Sequence, residues 1–231
     1  MSTVNEFGQP VGEPVDWVAR PPLAPVTLTG RTCRLEPLGD EHVPELFASL
    51  CQDSPPSIWT YMPSGPFTRV EELAAMVAGL RATPAMVPLA VLLPDGRPVG
   101  IATWLRIDPA MGTAEVGHIS YGSALQRTTA ATEAMHLMAR HAFELGGCRR
   151  YEWKCDALNE PSRRAALRLG FTFEGVFRQA VHYKGRNRDT AWFSIIDSEW
   201  PAVRAEHERW LDPANFDDHG SQRTPLRTRL Q

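Results

Sequence analysis

The sequence contains little that would cross-link a chain, anchor it in a membrane or repeat. Only four of its 231 residues are cysteine, Cys33, Cys51, Cys148 and Cys155. They are scattered, with no CxxC pair and no histidine at ligand spacing, which argues against a disulfide framework and a metal site and fits reduced thiols in a cytoplasmic protein. No stretch approaches the roughly 18 uninterrupted apolar residues of a membrane span. Residues 1–25 carry Pro10, Pro14, Pro21, Pro22 and Pro25 and no apolar run, so they do not read as a secretory signal. Repeats and low-complexity segments are absent. What remains is 43% hydrophobic and 22% charged, an ordinary globular composition in a chain long enough to bury a core without staples.

The net charge of -3 conceals an uneven distribution. Residues 1–120 balance at -6, whereas residues 121–190 balance at +5 and include Arg127, Arg163, Arg164, Lys184, Arg186 and Arg188. Such a stretch either attracts an anionic ligand or forms a solvated face. Its basic residues spread over several elements without a nucleic-acid motif, so nucleic acid is not the expected partner.

Periodicity supplies the element order. Residues 26–36 alternate as a strand. A first helix follows, capped by Asp40, with Pro44 in its first turn and Val43, Leu46, Phe47 and Leu50 on one face. A second helix begins at a Thr68/Glu71 capping box and carries Leu73, Met76, Val77 and Leu80. Strands at 89–93, 99–107 and 113–121 then form an antiparallel meander. From Gln126 to Leu145 the period changes to 3.6, and Gly146 and Gly147 stop this longest helix. Tyr151, Trp153 and Cys155 alternate with Glu152, Lys154 and Asp156 in a strand that a crossover places parallel to the one before the helix. Asn159 caps a short helix ending at Gly170, strands at 172–183 and 189–196 flank a turn at 184–187, and a helix at 198–211 precedes a polar tail expected to be mobile. The expected fold is a single α/β domain over residues 26–211 with a mixed sheet, between a Pro-rich leader (1–25) and the tail (212–231).

The junction from Tyr121 to Glu133 is where a ligand is expected. A helix N-terminus presents unpaired amides and the positive end of a dipole, and Thr128, Thr129, Ala130 and Ala131 leave the backbone open to an anion beside Arg127. An ordinary threonine-capped helix start explains the same residues. Neither a P-loop nor a Rossmann glycine pattern is present.

The stretch Gln126-Arg127-Thr128-Thr129-Ala130-Ala131-Thr132-Glu133-Ala134 resembles the cofactor motif of the GNAT superfamily of N-acetyltransferases, Q/R-x-x-G-x-G/A continued as A-T-E-A. Asn159-Glu160-Pro161-Ser162, Leu169-Gly170-Phe171 and Glu174-Gly175 resemble the N-x-x-S, L-G-F and E-G signatures of its ribosomal-protein N-terminal acetyltransferase type. The resemblance implies a GNAT-like sheet splayed between two parallel strands, and an enzyme that moves acetyl from acetyl-CoA to a primary amine in a ternary complex, without metal. It implies a diphosphate held by amides from Arg127 to Ala131 after Gln126, a pantetheine arm lying in the splay beside Tyr121, and contacts from Asn159 and Ser162. Thr129 stands where the family motif has its central glycine. It tolerates this if its φ is helical; otherwise cofactor affinity falls, which suits a non-catalytic acyl-CoA-binding module.

For the chemistry, Glu115 is the candidate base, with His118 second. Ser162 is the candidate to protonate the leaving thiolate or to bond within its own helix turn, and Tyr183 is a further acid or a packing residue. Cys155 reads as core. Trp59, Tyr61 and Met62 line the acceptor pocket or cover the core. The acceptor is a protein N-terminus or a small amine, with the acidic balance of residues 1–120 suiting a cation. The leader folds over the acceptor mouth, docks on a second subunit in a homodimer, or stays loose.

Overall fold

The computed structural model describes residues 3–228. Strands β1 (Thr3–Val4) and β2 (Pro10–Val11) make a small hairpin of their own. The main sheet begins with β3 (Leu28–Thr29) and β4 (Arg34–Pro37). Helices α1 (Val43–Phe47) and α2 (Val70–Ala82) follow, then β5 (Val87–Leu92), β6 (Pro98–Asp108) and β7 (Thr113–Tyr121). The chain continues through α3 (Thr129–Arg140), β8 (Arg150–Asp156), α4 (Glu160–Arg168), β9 (Thr172–Tyr183), β10 (Arg186–Ile196) and α5 (Trp200–Leu211). The spatial order is β3-β4-β5-β6-β7-β8-β10-β9. Every neighbouring pair is antiparallel except β7 with β8, the pair joined through α3. This is the mixed α/β sheet expected from the sequence.

Each face of the sheet buries its own core. Trp104, Val116, Tyr151, Trp153 and Phe193 pack with Met135 and Met138 of α3 on one side. Leu92 and Ile101 pack with Leu46, Leu50, Leu73 and Val77 from the α1 and α2 region on the other. Fully burying one such side chain contributes about 1.5–3 kcal/mol, so helices on both faces are what hold the central strands in place.

Several local expectations change. The strand at 26–36 breaks into β3 and β4, because the amides of Arg31, Thr32 and Cys33 turn toward Glu133 of α3, at 2.9, 2.6 and 3.1 Å. Asp40 does not cap the first helix. The Gly39 amide is met instead by His42 Nδ1 at 3.0 Å, and Asp40 pairs with Arg81 of α2 at 2.7 Å. At the head of α2 the carboxylate that accepts the Thr68 and Arg69 amides belongs to Glu72, not Glu71. The long helix starts at Thr129 rather than Gln126, and its last turn, His141–Leu145, widens to a π-helix. The β9–β10 turn shrinks to Lys184 and Gly185, both at positive φ (49° and 70°), as a two-residue hairpin turn with matching twist requires.

The leader docks on the start of β7 and the end of the long helix. Trp17 donates its indole N–H to Ala110 O at 2.9 Å and packs over Gly112, where a Cβ would come within 2.3 Å of its ring. Leu23 is buried beside Gly146. These contacts lie at the edge opposite the C-terminal ends of β7 and β8. The segment after α5 is not loose: Trp210 donates to Gln222 at 2.7 Å, Asn215 binds Thr224, and Thr228 donates to Arg168 O at 2.9 Å. Residues 1–2 and 229–231, the ends of the two flanking segments, lie outside the described residues.

Candidate functional site

The parallel pairing of β7 with β8 covers only Thr113–Val116 against Arg150–Trp153. Beyond it the strands diverge, because β7 carries one residue too many for β6. Ile101 pairs with Ser120 but Thr103 with Gly117, and the extra residue is absorbed near His118, whose φ is +47°. A bulge of this kind bends the strand that carries it. On its other side β8 stays paired with β10 as far as Asp156. The result is a gap between the last residues of β7 and β8, the splay expected from the sequence.

The helix head beside the gap is open. Thr128 (φ -99°, ψ 166°) is the N-cap, and its hydroxyl accepts the Ala131 amide at 3.2 Å while donating to Leu125 O at 2.7 Å. The Thr128 amide is turned inward to Leu125 O at 3.3 Å. Among the described residues the amides of Arg127, Thr129 and Ala130 have no acceptor. The left-handed residue of this turn is Arg127, at φ +62°, and not Thr129, which is the first residue of the helix. Three free amides, the helix dipole and an exposed guanidinium suit a diphosphate in size and sign. Gln126 folds back to donate to Tyr121 O at 2.7 Å, and the half-buried Tyr121 packs its ring against Gly100.

Across the gap, Asn159 caps α4 by accepting the Ser162 amide at 3.2 Å. The Ser162 hydroxyl accepts the Trp153 indole N–H at 2.9 Å and hydrogen-bonds the Cys155 sulfur with its own proton. Cys155 lies next to it. Burial pushes this thiol up, against the pull of the Ser162 hydrogen bond, so a core residue rather than a nucleophile is present.

Alternation along β8 puts Tyr151, Trp153 and Cys155 on the α3 side and Glu152, Lys154 and Asp156 on the opposite side. Glu115 lies on that side in the still-paired part of β7, 3% exposed, bound by Arg106 and by Lys154 Nζ at 3.0 Å. Lys154 also binds Glu152 at 2.7 Å and sits 3.7 Å over the Trp192 ring. Burial raises the Glu152 carboxyl, but Lys154 and Arg150 outweigh it and hold it below the usual range. The cluster is a closed ion-pair ladder. Burial pushes His118 down to about 4, and its Nε2 is buried without a partner, as are Ser120 Oγ, Thr190 Oγ1 and Trp192 Nε1.

Asp156 ends β8 on this side, its Oδ2 accepting the Tyr183 hydroxyl at 2.9 Å. Burial, then the bond to Asp156 and its charge, push Tyr183 up to about 12. Trp59 covers the core, buried and donating to Leu50 O at 3.3 Å, and Met62 packs in the same core. Tyr61 reaches the site, donating to Leu158 O at 3.1 Å. Lys184 binds Trp59 O at 2.8 Å and so ties the hairpin tip to the α1–α2 connection. Asp156 was visible in the sequence only as a polar member of an alternating strand, and nothing there marked Lys154 or Glu133 as buried partners. No group of metal-ligating side chains occurs among the described residues.

A family profile described as an acetyltransferase (GNAT) domain matches residues 33–172. A GCN5-related N-acetyltransferase from Brucella melitensis is 42% identical and superposes with a TM-score of 0.89 over 91% of this chain and 96% of that one. The Escherichia coli ribosomal-protein-serine acetyltransferase is 31% identical over 102 residues, 44% of this chain but only 56% of that protein. Mycobacterium smegmatis RimJ, solved with CoA-disulfide, shares the fold at 23% identity and a TM-score of 0.66, over 81% of this chain and 95% of that one. With the splayed parallel pair and the open helix head between them, the chain belongs to the GNAT acetyltransferase family, a family of acyltransferases.

Proposed function

We propose that the protein is an N-acetyltransferase that moves an acetyl group from acetyl-CoA to a primary amine, a protein N-terminus or a small amine, by direct transfer in a ternary complex. The observation that carries the reading is the set of unpaired amides at Arg127, Thr129 and Ala130 beside a gap that opens to both faces of the sheet. The mycobacterial RimJ of the same fold, solved with CoA-disulfide, supports CoA as the ligand here. When bound, acetyl-CoA supplies an activated acyl thioester.

The chain's residues do the rest. The free amides and Arg127 hold the diphosphate, and Asn159, whose side-chain N–H group has no bond among the described residues, meets the pantetheine arm. The exposed backbone of β7 after the bulge offers strand-like hydrogen bonds to that arm. Ser162, oriented by the Trp153 indole, turns its proton from Cys155 toward the departing sulfur. We assign Glu115 a structural role instead of the base role expected from the sequence, because Arg106 and Lys154 occupy its carboxylate. Thr129 begins the helix without positive φ, so the feature that favoured a non-catalytic acyl-CoA-binding module carries no strain.

The test is a calorimetric titration with acetyl-CoA, followed by a thiol-release screen of amino acids, polyamines and peptides with free N-termini. Binding with turnover on one of these classes is expected. Binding with no turnover on any would leave the module reading, and no binding at millimolar acetyl-CoA would refute both.

A further inference from the structure

An acceptor amine is an ammonium ion at neutral pH and must lose a proton before it attacks, yet the carboxylate first expected to take it is engaged by two cations. One carboxylate on the same face of the sheet has no cation at ion-pair distance among the described residues. Asp156 is 5% exposed and is the last residue of the β8–β10 pairing, beside the gap. Its Oδ1 accepts the Leu158 amide at 2.9 Å and its Oδ2 the Tyr183 hydroxyl at 2.9 Å. Tyr183 is half-buried at the end of β9, and besides Asp156 its hydroxyl feels Arg188 of β10, whose charge opposes the upward push, and Tyr61, which adds to it. Thr190, directly across from Asp156 on β10, has a buried hydroxyl with no partner. The surroundings are thus polar and incompletely satisfied, as a surface that receives a polar substrate should be.

We propose that the Tyr183 hydroxyl and the Asp156 carboxylate form a proton relay for the acceptor amine, with Tyr183 touching the amine and Asp156 positioning Tyr183 and holding the proton. The proposal rests on the acetyl-transfer reading above. In the step, an N–H bond of the ammonium breaks with its electron pair staying on nitrogen. The proton passes to Tyr183 Oη as the tyrosine's own proton moves to Asp156 Oδ2. The neutral nitrogen then bonds the acetyl carbon while the carbon–sulfur bond breaks. A second nitrogen proton ends on the departing sulfur, and Asp156 returns the first to water.

His118 is the competitor, and burial separates the two. A proton arriving at Asp156 neutralises a buried carboxylate, whereas one arriving at His118 would charge a buried imidazole whose Nε2 has no partner. The hydrogen bond that orients a catalytic histidine is also missing among the described residues.

The experiment is kcat/KM against pH for the full chain, using the acceptor chosen by the amine screen, with Tyr183→Phe, Asp156→Asn and His118→Gln. The relay lets the enzyme use the ammonium form, so the wild-type rate should persist below the acceptor's own pKa. In Tyr183→Phe and Asp156→Asn the acidic limb should move up to that pKa, with a loss of about 10²–10⁴-fold at neutral pH that recovers as pH rises. A merely structural bond between hairpin and strand would lower the rate at all pH values without moving the limb. An ultraviolet titration of tyrosinate adds a readout independent of turnover: Asp156→Asn should lower Tyr183 from about 12 by the share that Asp156 supplies, while burial still holds it up. Wild-type turnover with unshifted limbs, or a shift confined to His118→Gln, overturns the relay and leaves acetyl transfer standing. Absence of wild-type turnover removes the acetyl-transfer reading, and the relay with it.

Discussion

Thr129→Pro is a selective test of the helix head, because the fold tolerates proline there while a bound anion would not. The residue is the first of α3, where a helix has no internal use for an amide, so the lost N–H costs no hydrogen bond in the free protein. Thr128, which precedes it, is already extended at φ -99° and ψ 166°, the region that a following proline favours. The Thr128 cap onto Ala131 survives the change. Stability should therefore move by no more than about 1 kcal/mol, and upward if proline mainly restricts the unfolded chain. A hydrogen bond to a charged group is worth about 1.5–3 kcal/mol, so removing one of three free amides should weaken CoA roughly 10- to 100-fold. Isothermal titration of wild type and variant, each with its thermal midpoint, measures both quantities. An unchanged dissociation constant in a variant that melts normally would show that no phosphate rests on this amide. Thr128→Ala is the opposite control, expected to lose about 1 kcal/mol of stability while keeping all three amides.

Glu133→Gln should destabilise by about 3 kcal/mol, since three backbone amides and the Thr32 hydroxyl converge on this one carboxylate and an amide cannot accept them all. For a chain of this size that is a drop of roughly 6–12 °C in a calorimetric scan. Burial raises the Glu133 carboxyl, but the bonds from Thr32, Arg31 and Cys33 prevail and hold it low. Its contribution is then present above the unfolded pKa and lost as pH falls through the folded one, so the gap between wild type and variant should close in acid. His207 acts in the same sense through another route: burial beside His136 pushes it down to about 3, so protonation favours the unfolded chain. Stability should fall by up to about 1.4 kcal/mol per pH unit below about 6.5, and urea midpoints that stay flat from pH 7 to 4.5 would contradict this. Glu115→Gln should cost roughly 3 kcal/mol by leaving Lys154 without one of its partners in a buried ladder, with the acidic limb of the rate profile unmoved. Trp17→Ala should lower the melting midpoint and leave turnover alone, because its contacts are at the edge of the sheet away from the gap.

What the sequence disclosed and what it withheld follow from the range of the interactions. Period and capping are local, so α3, α4, β7, β8 and the parallel crossover were legible, and the family motif led to the helix head. The helical φ favoured for Thr129 is what the structure has, whereas the left-handed turn at Arg127 was not legible, because which residue turns left-handed depends on where the cap falls. Long-range pairing was not legible. Nothing in the spacing shows that Glu133 reaches back a hundred residues to split the first strand, or that Lys154 lies under Glu115. The basic stretch illustrates the same limit. Arg150 is bound to Glu152 and Glu174, Lys154 to two glutamates, and Arg168 donates to Thr132 and stacks on Trp210. Much of the positive charge counted along the chain is consumed inside the fold.

The surplus residue near His118 has a bearing on engineering. The opening lies between β7 and β8, but the extra residue is counted in the pairing of β7 with β6, so a change at one seam of β7 acts on the other. Shortening β7 by one position here should let it pair further with β8 and narrow the gap, and lengthening it should widen the gap. Substitutions around the rim would tune preference, but the aperture itself is adjusted by counting residues.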